Sequence, residues 1–149
     1  MFAATSRNYT GNYRHGIDPK NRVTIPAAWR SEGEEVYKLR VDTTHSCLLV
    51  FTNEEFLRQI EKASQLPGLS PRELQQFIRQ FAGQAIECTA DKQGRMVLPV
   101  ELTRLIGLNG EAVLIGASNR FEIWNPEKWE AKKAAESLVY NNVASQLGM

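Results

Sequence analysis

The sequence contains few of the residues from which disulfide frameworks and membrane spans are built. Its 149 residues include two cysteines and two histidines, so no disulfide framework is expected and a reducing, cytoplasmic setting fits. The longest apolar runs, such as Cys47–Phe51, have the length of a strand and are far too short to cross a bilayer. The N-terminus lacks a basic segment followed by a long apolar run, so we expect neither a signal peptide nor a membrane partner.

An excess of charge of one sign is also missing. The formal net charge is +1, which excludes a uniformly basic surface. The distribution is uneven, because Asp18 is the only acidic residue before position 22, whereas Arg7, Arg14 and Lys20 are basic. This pattern is compatible with a small nucleic-acid footprint. Charge alone favours a plainer interpretation, which is a solvated N-terminal arm.

The sequence also lacks the short motifs of common enzymes. It has no phosphate-binding glycine loop, no nucleophile elbow and no zinc-protease motif. His15 and Cys88, or His45 and Cys47, are conceivable metal ligands, but Cys-x-x-Cys and His-x-x-x-His spacings are absent. We therefore predict no metal and no cofactor, and expect a buried thiol and a hydrogen-bonded histidine instead.

What the sequence does contain is an internal repeat. The segment Asp18–Pro26 (DPKNRVTIP) returns as Asp91–Pro99 (DKQGRMVLP), at an offset of 73 residues (91 − 18 = 73). The same offset aligns Cys47–Phe56 with Arg120–Trp129. A repeat of this kind indicates a two-fold structural unit within one chain, in which each half supplies one Asp and one Arg.

The two halves predict the same order of short strands and helices. β-branched and alternating runs, separated by polar turns, indicate roughly four strands in each half. Capping-box sequences at Thr52–Glu55 and Ser70–Glu73 open two helices between the halves, and Asn125 caps one helix that carries Trp129 and Leu138. A unit of about 45 to 55 residues is marginal by itself, so the halves are expected to fuse or interlock.

The spacing Asp-x-x-x-Arg places two side chains on either side of a tight turn. The carboxylate can then accept turn amides and hold the guanidinium in a bidentate pair. A guanidinium held in this way suits phosphate oxygens or the O6/N7 edge of guanine. For a single motif, the plainer interpretation is that the pair only ties its hairpin together. The presence of two copies, Asp18 with Arg22 and Asp91 with Arg95, favours a reader of a repeating polymer.

Both motifs carry a resemblance to a known family. The pattern Y-x-G-x-Y-x-H-x-I-D-x-K-x-R-V-T-I-P at 9–26 resembles the opening signature of the MraZ family, and Asp91–Pro99 resembles that family's second motif. MraZ proteins are similar to the AbrB/SpoVT regulators, with swapped-hairpin β-barrel halves and ring-shaped oligomers. The resemblance spans residues 9 to 135 and implies an α+β fold of two fused AbrB-like half-domains with peripheral helices.

The resemblance also implies a function. MraZ proteins bind repeated short boxes in promoter DNA upstream of the division and cell-wall gene cluster, and control its transcription and their own. For this chain it implies a cytoplasmic, nucleoid-associated homo-oligomer that binds double-stranded promoter DNA and is not an enzyme. Five residues match the family's motifs: Asp18, Lys20, Arg22, Asp91 and Arg95. We expect DNA binding by Arg14, Lys20, Arg22, Lys92 and Arg95, with Asp18 and Asp91 as structural partners. Arg95 is expected to be either a second reader of DNA or a buried partner of Asp91.

Together these signals divide the chain into five segments. We expect a flexible N-terminal extension at 1–8, a first AbrB/SpoVT-like repeat at 9–56, connecting helices at 57–84, a second repeat at 85–129, and a C-terminal helix and tail at 130–149. The family usually has glycine at the position of Asn21, but asparagine tolerates a positive φ, so the turn is expected to survive. The role of Arg7 in the extension is left open.

Two other functions stay open at this level. The paired turns could form a composite active site for an anionic substrate, which would need a pocket that brings Asp18 and Asp91 within about 6 Å, with raised pKa values. Alternatively, the protein is a structural ring whose Asp–Arg pairs only stabilise hairpins and bind no DNA.

Overall fold

Each half of the chain contributes four strands to one antiparallel sheet. The computed structural model describes residues 7–149, so residues 1–6 of the predicted extension lie outside the described part. The strands are β1 (Asn12–Gly16), β2 (Arg22–Thr24), β3 (Glu35–Val41), β4 (Cys47–Thr52), β5 (Ile86–Ala90), β6 (Arg95–Val97), β7 (Glu111–Gly116) and β8 (Phe121–Trp124). The helices are α1 (Asn53–Ser64), α2 (Pro71–Gly83), α3 (Val100–Leu105), α4 (Pro126–Ala135) and α5 (Ser137–Gln146), with a 3₁₀ helix at Ala27–Trp29.

The sheet interleaves the two halves and nearly closes into a barrel. Its strand order is β1-β7-β8-β4-β3-β5-β6-β2. The outermost strands of this order, β1 and β2, are consecutive in the chain and are joined by a turn in which the Asp18 amide donates to the Arg22 carbonyl at 3.1 Å. The predicted α+β fold of two fused barrel halves is confirmed, and the halves fuse by exchanging strands.

A pseudo-two-fold axis relates the halves. The repeat converts Val23 into Met96 (96 − 23 = 73), and these residues are paired at the centre of the β2–β6 ladder. Across the barrel it converts Leu49 into Glu122 (122 − 49 = 73), which are paired in the β4–β8 ladder. The axis therefore enters the barrel between β2 and β6 and leaves it between β4 and β8.

The barrel interior forms the main hydrophobic core. Val23, Leu39, Met96 and Leu114 come from four different strands and are fully buried. Burial of a side chain of this size stabilises a fold by roughly 1.5–3 kcal/mol. Because the buried side chains come from both halves, their packing holds the exchanged strands together.

The larger helices cover the β4–β8 side of the barrel. Phe56 of α1 and Phe81 of α2 pack against Phe51 of β4, and Trp129 of α4 packs against Trp124 of β8 with ring centroids 5.5 Å apart. On the opposite side, the outward-facing Val97 of β6 is 55% exposed. The outer face of the β2–β6 ladder is therefore open to solvent.

The last helix departs from its prediction. The caps predicted at Thr52 and Ser70 are present, but the single helix predicted after Asn125 is interrupted at Glu136 and continues as α5. Ser137 explains the interruption, because its hydroxyl donates to the carbonyl three residues earlier at 2.9 Å, and such bonds bend helices. No helix in the described range, 7–149, is long and apolar enough to span a membrane.

The described part of the N-terminal segment is bound to the barrel. Tyr9 is buried, and its backbone exchanges two hydrogen bonds with Ser118, of 2.7 and 2.9 Å. Arg7 forms an ion pair with Glu35 and donates to the Trp29 carbonyl at 3.2 Å. The side chain of Arg7 is thus engaged within the protein.

We expect Gly116→Ala to destabilise the fold. A Cβ at Gly116 would lie 2.6 Å from the Thr10 nitrogen and from the Tyr9 carbonyl carbon, so the N-terminal segment would have to move away from β7. The expected loss in the free energy of unfolding, measured by urea denaturation, is about 1–3 kcal/mol, as for other overpacked sites.

Gly83→Ala is the matched control for this measurement. Apart from its chain neighbours and the backbone of its own helix, no atom of residues 7–149 lies within 4 Å of its Cβ position, and Gly83 is the last residue of α2. It should be neutral or stabilising by up to about 1 kcal/mol, because alanine favours the helix. Equal stability of the two variants would contradict the close approach of the N-terminal segment to β7.

Candidate nucleic-acid interface

One carboxylate holds the first Asp–Arg turn. Asp18 Oδ1 accepts hydrogen bonds from the amides of Lys20 and Arg22, at 3.0 and 2.8 Å. Oδ2 accepts from Nε of Arg22 at 2.6 Å. The pair is therefore not the bidentate one that was predicted, because the turn amides occupy the first oxygen. The carboxylate fixes both the turn backbone and the direction of the arginine side chain.

The second turn repeats this geometry. Asp91 Oδ1 accepts from the amides of Gln93 and Arg95, each at 2.9 Å. Oδ2 accepts from Nε of Arg95, also at 2.9 Å. The two turns thus use the same hydrogen bonds at equivalent positions of the repeat.

Each turn needs one residue with a left-handed backbone. Asn21 has φ of 61° in the first turn, and Gly94 has φ of 80° in the second. The first turn therefore survives the replacement of the usual glycine, as expected. The amide of the Asn21 side chain donates to the Leu98 carbonyl at 2.7 Å, which joins the first turn to the second half.

The β2–β6 ladder carries both arginines on one outer face. Arg22 is paired with Val97 and Arg95 with Thr24, so these four side chains point away from the barrel interior. Arg22 and Arg95 are diagonal neighbours, a relation that separates residues by about 7–8 Å in an antiparallel ladder. Their side chains are 26% and 40% exposed. The result is a two-stranded ribbon with two oriented guanidinium groups on its solvent side.

The other predicted basic residues lie around this ribbon. Lys20 and Lys92 are exposed in the two turns, and neither has a carboxylate within 4.0 Å among residues 7–149. Arg14 lies on β1, where it is 61% exposed and pairs with Glu111 at 2.9 Å. The two lysines thus lie in the turns that hold the ribbon arginines, whereas Arg14 is paired with Glu111 of the neighbouring strand β7.

Arg30 is a basic residue beside the ribbon that sequence reasoning did not identify. It follows the 3₁₀ helix, and its side chain packs over Gly94 in the second turn. No local motif marks it. The signal that could have found it is a break in the repeat, because the equivalent residue is Thr103 (103 − 30 = 73).

The electrostatics of the turns do not suit acid–base catalysis. The pKa of Asp18 is lowered, first by the backbone amide of Arg22 and then by the Arg22 side chain. The backbone and side chain of Arg95 lower the pKa of Asp91 in the same way. The composite active site considered above required raised carboxyl pKa values, so the lowered pKa values of both aspartates oppose that hypothesis.

Within residues 7–149, no group of three or more His, Cys, Asp or Glu side chains is placed to hold a metal ion. Cys47 and Cys88 are free and buried, and burial raises the pKa of both thiols. His15 forms a hydrogen bond with the Gly16 carbonyl at 2.7 Å. The two thiols are buried in the core, and their raised pKa values disfavour the thiolate form.

The exchanged strands and the two equivalent hairpins define a class of swapped-hairpin barrel proteins assembled from two fused half-domains. The family model described as "MraZ protein, putative antitoxin-like" matches residues 9–75 and 81–143. The chain therefore belongs to the MraZ family.

Similar proteins match over almost their whole length. A protein of Clostridium tetani (strain Massachusetts / E88) is 36% identical over 139 residues, which cover 93% of this chain and 96% of that protein. A protein of Ligilactobacillus salivarius (strain UCC118) is 39% identical over 140 residues, with the same two coverages. Each is named "Transcriptional regulator MraZ", which is the name of a regulator and not of an enzyme.

The hydrogen bonds of the turns predict how Asp18 and Asp91 titrate. In a carbon-detected NMR titration, both carboxyl groups should have midpoints below the usual value of about 3.9. Because the folded-state pKa is lowered, these carboxylates stabilise the fold above the unfolded pKa, and that contribution is lost as the pH falls through the folded pKa.

Arg22→Ala separates the contributions of the Arg22 backbone and side chain to the lowered pKa of Asp18. The variant keeps the backbone amide, which is the larger cause, so the pKa of Asp18 should rise only in part and stay below its usual range. A wild-type midpoint in the ordinary range would contradict the turn geometry.

Proposed function

We propose that this chain is a transcriptional regulator that binds double-stranded DNA through the outer face of the β2–β6 ribbon. The observation that carries the proposal is the pair of guanidinium groups, each oriented by its own aspartate, on an exposed two-stranded ribbon. The major groove of B-DNA is about 12 Å wide and admits such a ribbon. The names of the relatives support regulation of transcription as the outcome.

Each basic residue has a proposed role. Arg22 and Arg95 read guanine edges, because an oriented guanidinium presents two donors to O6 and N7. Equivalent ion pairs at Arg22 and Arg95 support the same role for both. Lys20 and Lys92 contact phosphates as mobile point charges. Arg14 contacts a phosphate only after it exchanges Glu111 for the DNA.

Self-assembly is part of the proposal. One ribbon offers a small contact, and several ribbons on a homo-oligomeric ring would bind repeated promoter boxes with a large gain in avidity. The exposed apolar side chains of α5 and of the residue that follows it support association with a second copy of the chain; they are Leu138, Val139, Tyr140 and Val143 on α5, and Leu147 after it. As the family resemblance implies, the boxes would precede the division and cell-wall gene cluster, and the protein would act in the cytoplasm at the nucleoid.

The first experiment is a fluorescence anisotropy titration against the DNA just upstream of the chain's own gene. A shuffled duplex of equal composition is the control, at one physiological salt concentration. Arg22→Ala should remove the preference for the upstream duplex, about a hundredfold or more in wild type, while circular dichroism shows that folding persists. Arg79→Ala on α2 removes the same charge from an exposed position away from the ribbon and should bind like wild type.

Lys20→Ala should behave differently from Arg22→Ala. It should weaken binding to both duplexes alike and make the salt dependence shallower by about one unit of slope, as for a phosphate contact. Retained preference for the upstream duplex in Arg22→Ala would reject the ribbon as the reader. Absence of salt-sensitive binding in wild type would favour the purely structural ring.

A charge on the apolar face of α5 should weaken self-assembly. Val143→Glu should shift the mass measured by light scattering from an oligomer toward the 16.8 kDa of a single chain, because an isolated charge is costly to bury. Asn141→Glu adds the same charge to an exposed polar position of α5 and is the control. A wild-type protein that is monomeric at all concentrations would refute the proposed ring.

A further inference from the structure

Gly94 leaves space for the side chain of Arg30, which belongs to the other half of the chain. A Cβ built on Gly94 would lie 2.4 Å from Cδ of Arg30, 2.5 Å from its Nη1 and 2.9 Å from its Cζ. The absence of a side chain at Gly94 therefore lets Arg30 pack directly on the second turn, next to the Asp91–Arg95 pair.

Among residues 7–149, no side chain or backbone group is hydrogen-bonded to or paired with the guanidinium of Arg30. Its Nε is buried and makes no hydrogen bond within the described residues, 7–149. In the same range, Arg22 and Arg95 each pair with a carboxylate, whereas no carboxylate lies within 4.0 Å of Arg30. A guanidinium carries five donors and no acceptor, so this arrangement leaves a positive charge ready for an external anion.

The first turn has no such space for an arginine side chain. Asn21 stands where the second turn has Gly94, and its side chain fills the equivalent space with a hydrogen bond to the Leu98 carbonyl at 2.7 Å and a longer one to the Thr103 hydroxyl at 3.5 Å. Thr103 is the repeat counterpart of Arg30. The equivalent space beside the two turns is thus filled differently. At the first turn Asn21 fills it with hydrogen bonds inside the protein, and at the second turn Arg30 fills it with a cation.

The tips of the turns differ in the opposite sense. Lys20 in the first turn corresponds to Gln93 in the second (93 − 20 = 73), so the second turn has no cation at that position. Arg30 supplies a cation beside the same turn. We propose that Arg30 is a phosphate-binding residue of the second hairpin, which rests on the DNA-binding function proposed above.

A phosphate suits Arg30 better than a base edge. Base reading requires a guanidinium in a fixed direction, which Asp18 and Asp91 give to Arg22 and Arg95. In the described part of the chain no carboxylate orients Arg30, and its side chain reaches the ribbon from outside the two strands. A phosphate accepts hydrogen bonds from many directions, so it tolerates that freedom.

The test compares Arg30→Gln with wild type on the upstream and shuffled duplexes over a series of salt concentrations. Glutamine keeps part of the stem over Gly94 and removes the charge. Affinity for both duplexes should fall by the same factor, about 3- to 10-fold at low salt, and the slope of log K against log salt should decrease by about 1. Arg79→Ala should change neither quantity.

Gly94→Asn tests whether the packing of Arg30 on the second turn is needed, while Arg30 itself is kept. Asparagine tolerates the left-handed backbone, as Asn21 does at φ of 61°, but its Cβ would displace Arg30. It should lower affinity as much as Arg30→Gln does, and the double variant should bind no worse than Arg30→Gln alone. Thermal unfolding of each variant verifies that the fold is intact.

The outcomes separate this inference from the proposed function. If Arg30→Gln binds like wild type while Arg22→Ala loses its preference, the role of Arg30 is wrong and the proposed function stands. A loss confined to the upstream duplex would make Arg30 a base reader and reject the phosphate. If wild type binds neither duplex, both proposals are overturned.

Discussion

The structure depends on the antiparallel pairing of β2 with β6. These strands have three residues each, a length that is not stable in isolation, yet they are where the two repeats meet on the pseudo-two-fold axis. Their inward side chains fill the core and their outward side chains form the ribbon. Just beyond the ladder, the Ile25 amide donates to the Gly94 carbonyl and the Leu98 amide donates to the Asn21 carbonyl, both at 2.8 Å. Each turn is therefore held in place by the strand of the other half.

Near-symmetry has a consequence for how such a ribbon would lie on a duplex. A ribbon with an exact two-fold axis presents the same groups in either direction along the DNA. Here the exchange of Lys20 for Gln93, and of Thr103 for Arg30, breaks that equivalence while the arginine–aspartate pairs preserve it. In the proposed complex with DNA, the preserved groups would determine which bases are read, and the altered ones would determine the polarity of binding. Because the carboxylates already orient the arginines, binding of DNA as proposed would impose little additional side-chain order.

Local chemistry in the sequence predicted much of the site, and non-local pairing limited the rest. The two turns could be predicted from Asp18 and Asp91, because the amides that donate to these carboxylates lie two and four residues further along the chain. The repeat by itself does not predict the strand order, because it is equally compatible with two side-by-side barrels and with exchanged strands. Exchanged hairpins were expected only from the family resemblance. The interruption at Glu136 was missed because one hydroxyl, that of Ser137, decides it within an otherwise helical stretch. Arg30 was missed because Gly94, on which its side chain packs, lies 64 positions away in the sequence (94 − 30 = 64).

The strand order also constrains how the chain can be made. In the described sheet, β1 has β7 as its ladder partner, and 94 residues lie between Gly16 and Glu111 (111 − 16 − 1 = 94). Non-local pairs of this kind form late, because a long loop must close before the contact is gained. During translation, β1 emerges first and remains without its partner until most of the second half has left the ribosome. Throughout that interval its open edge can pair with β7 of another nascent chain, so the same exchange that fuses the halves is a route to domain-swapped dimers.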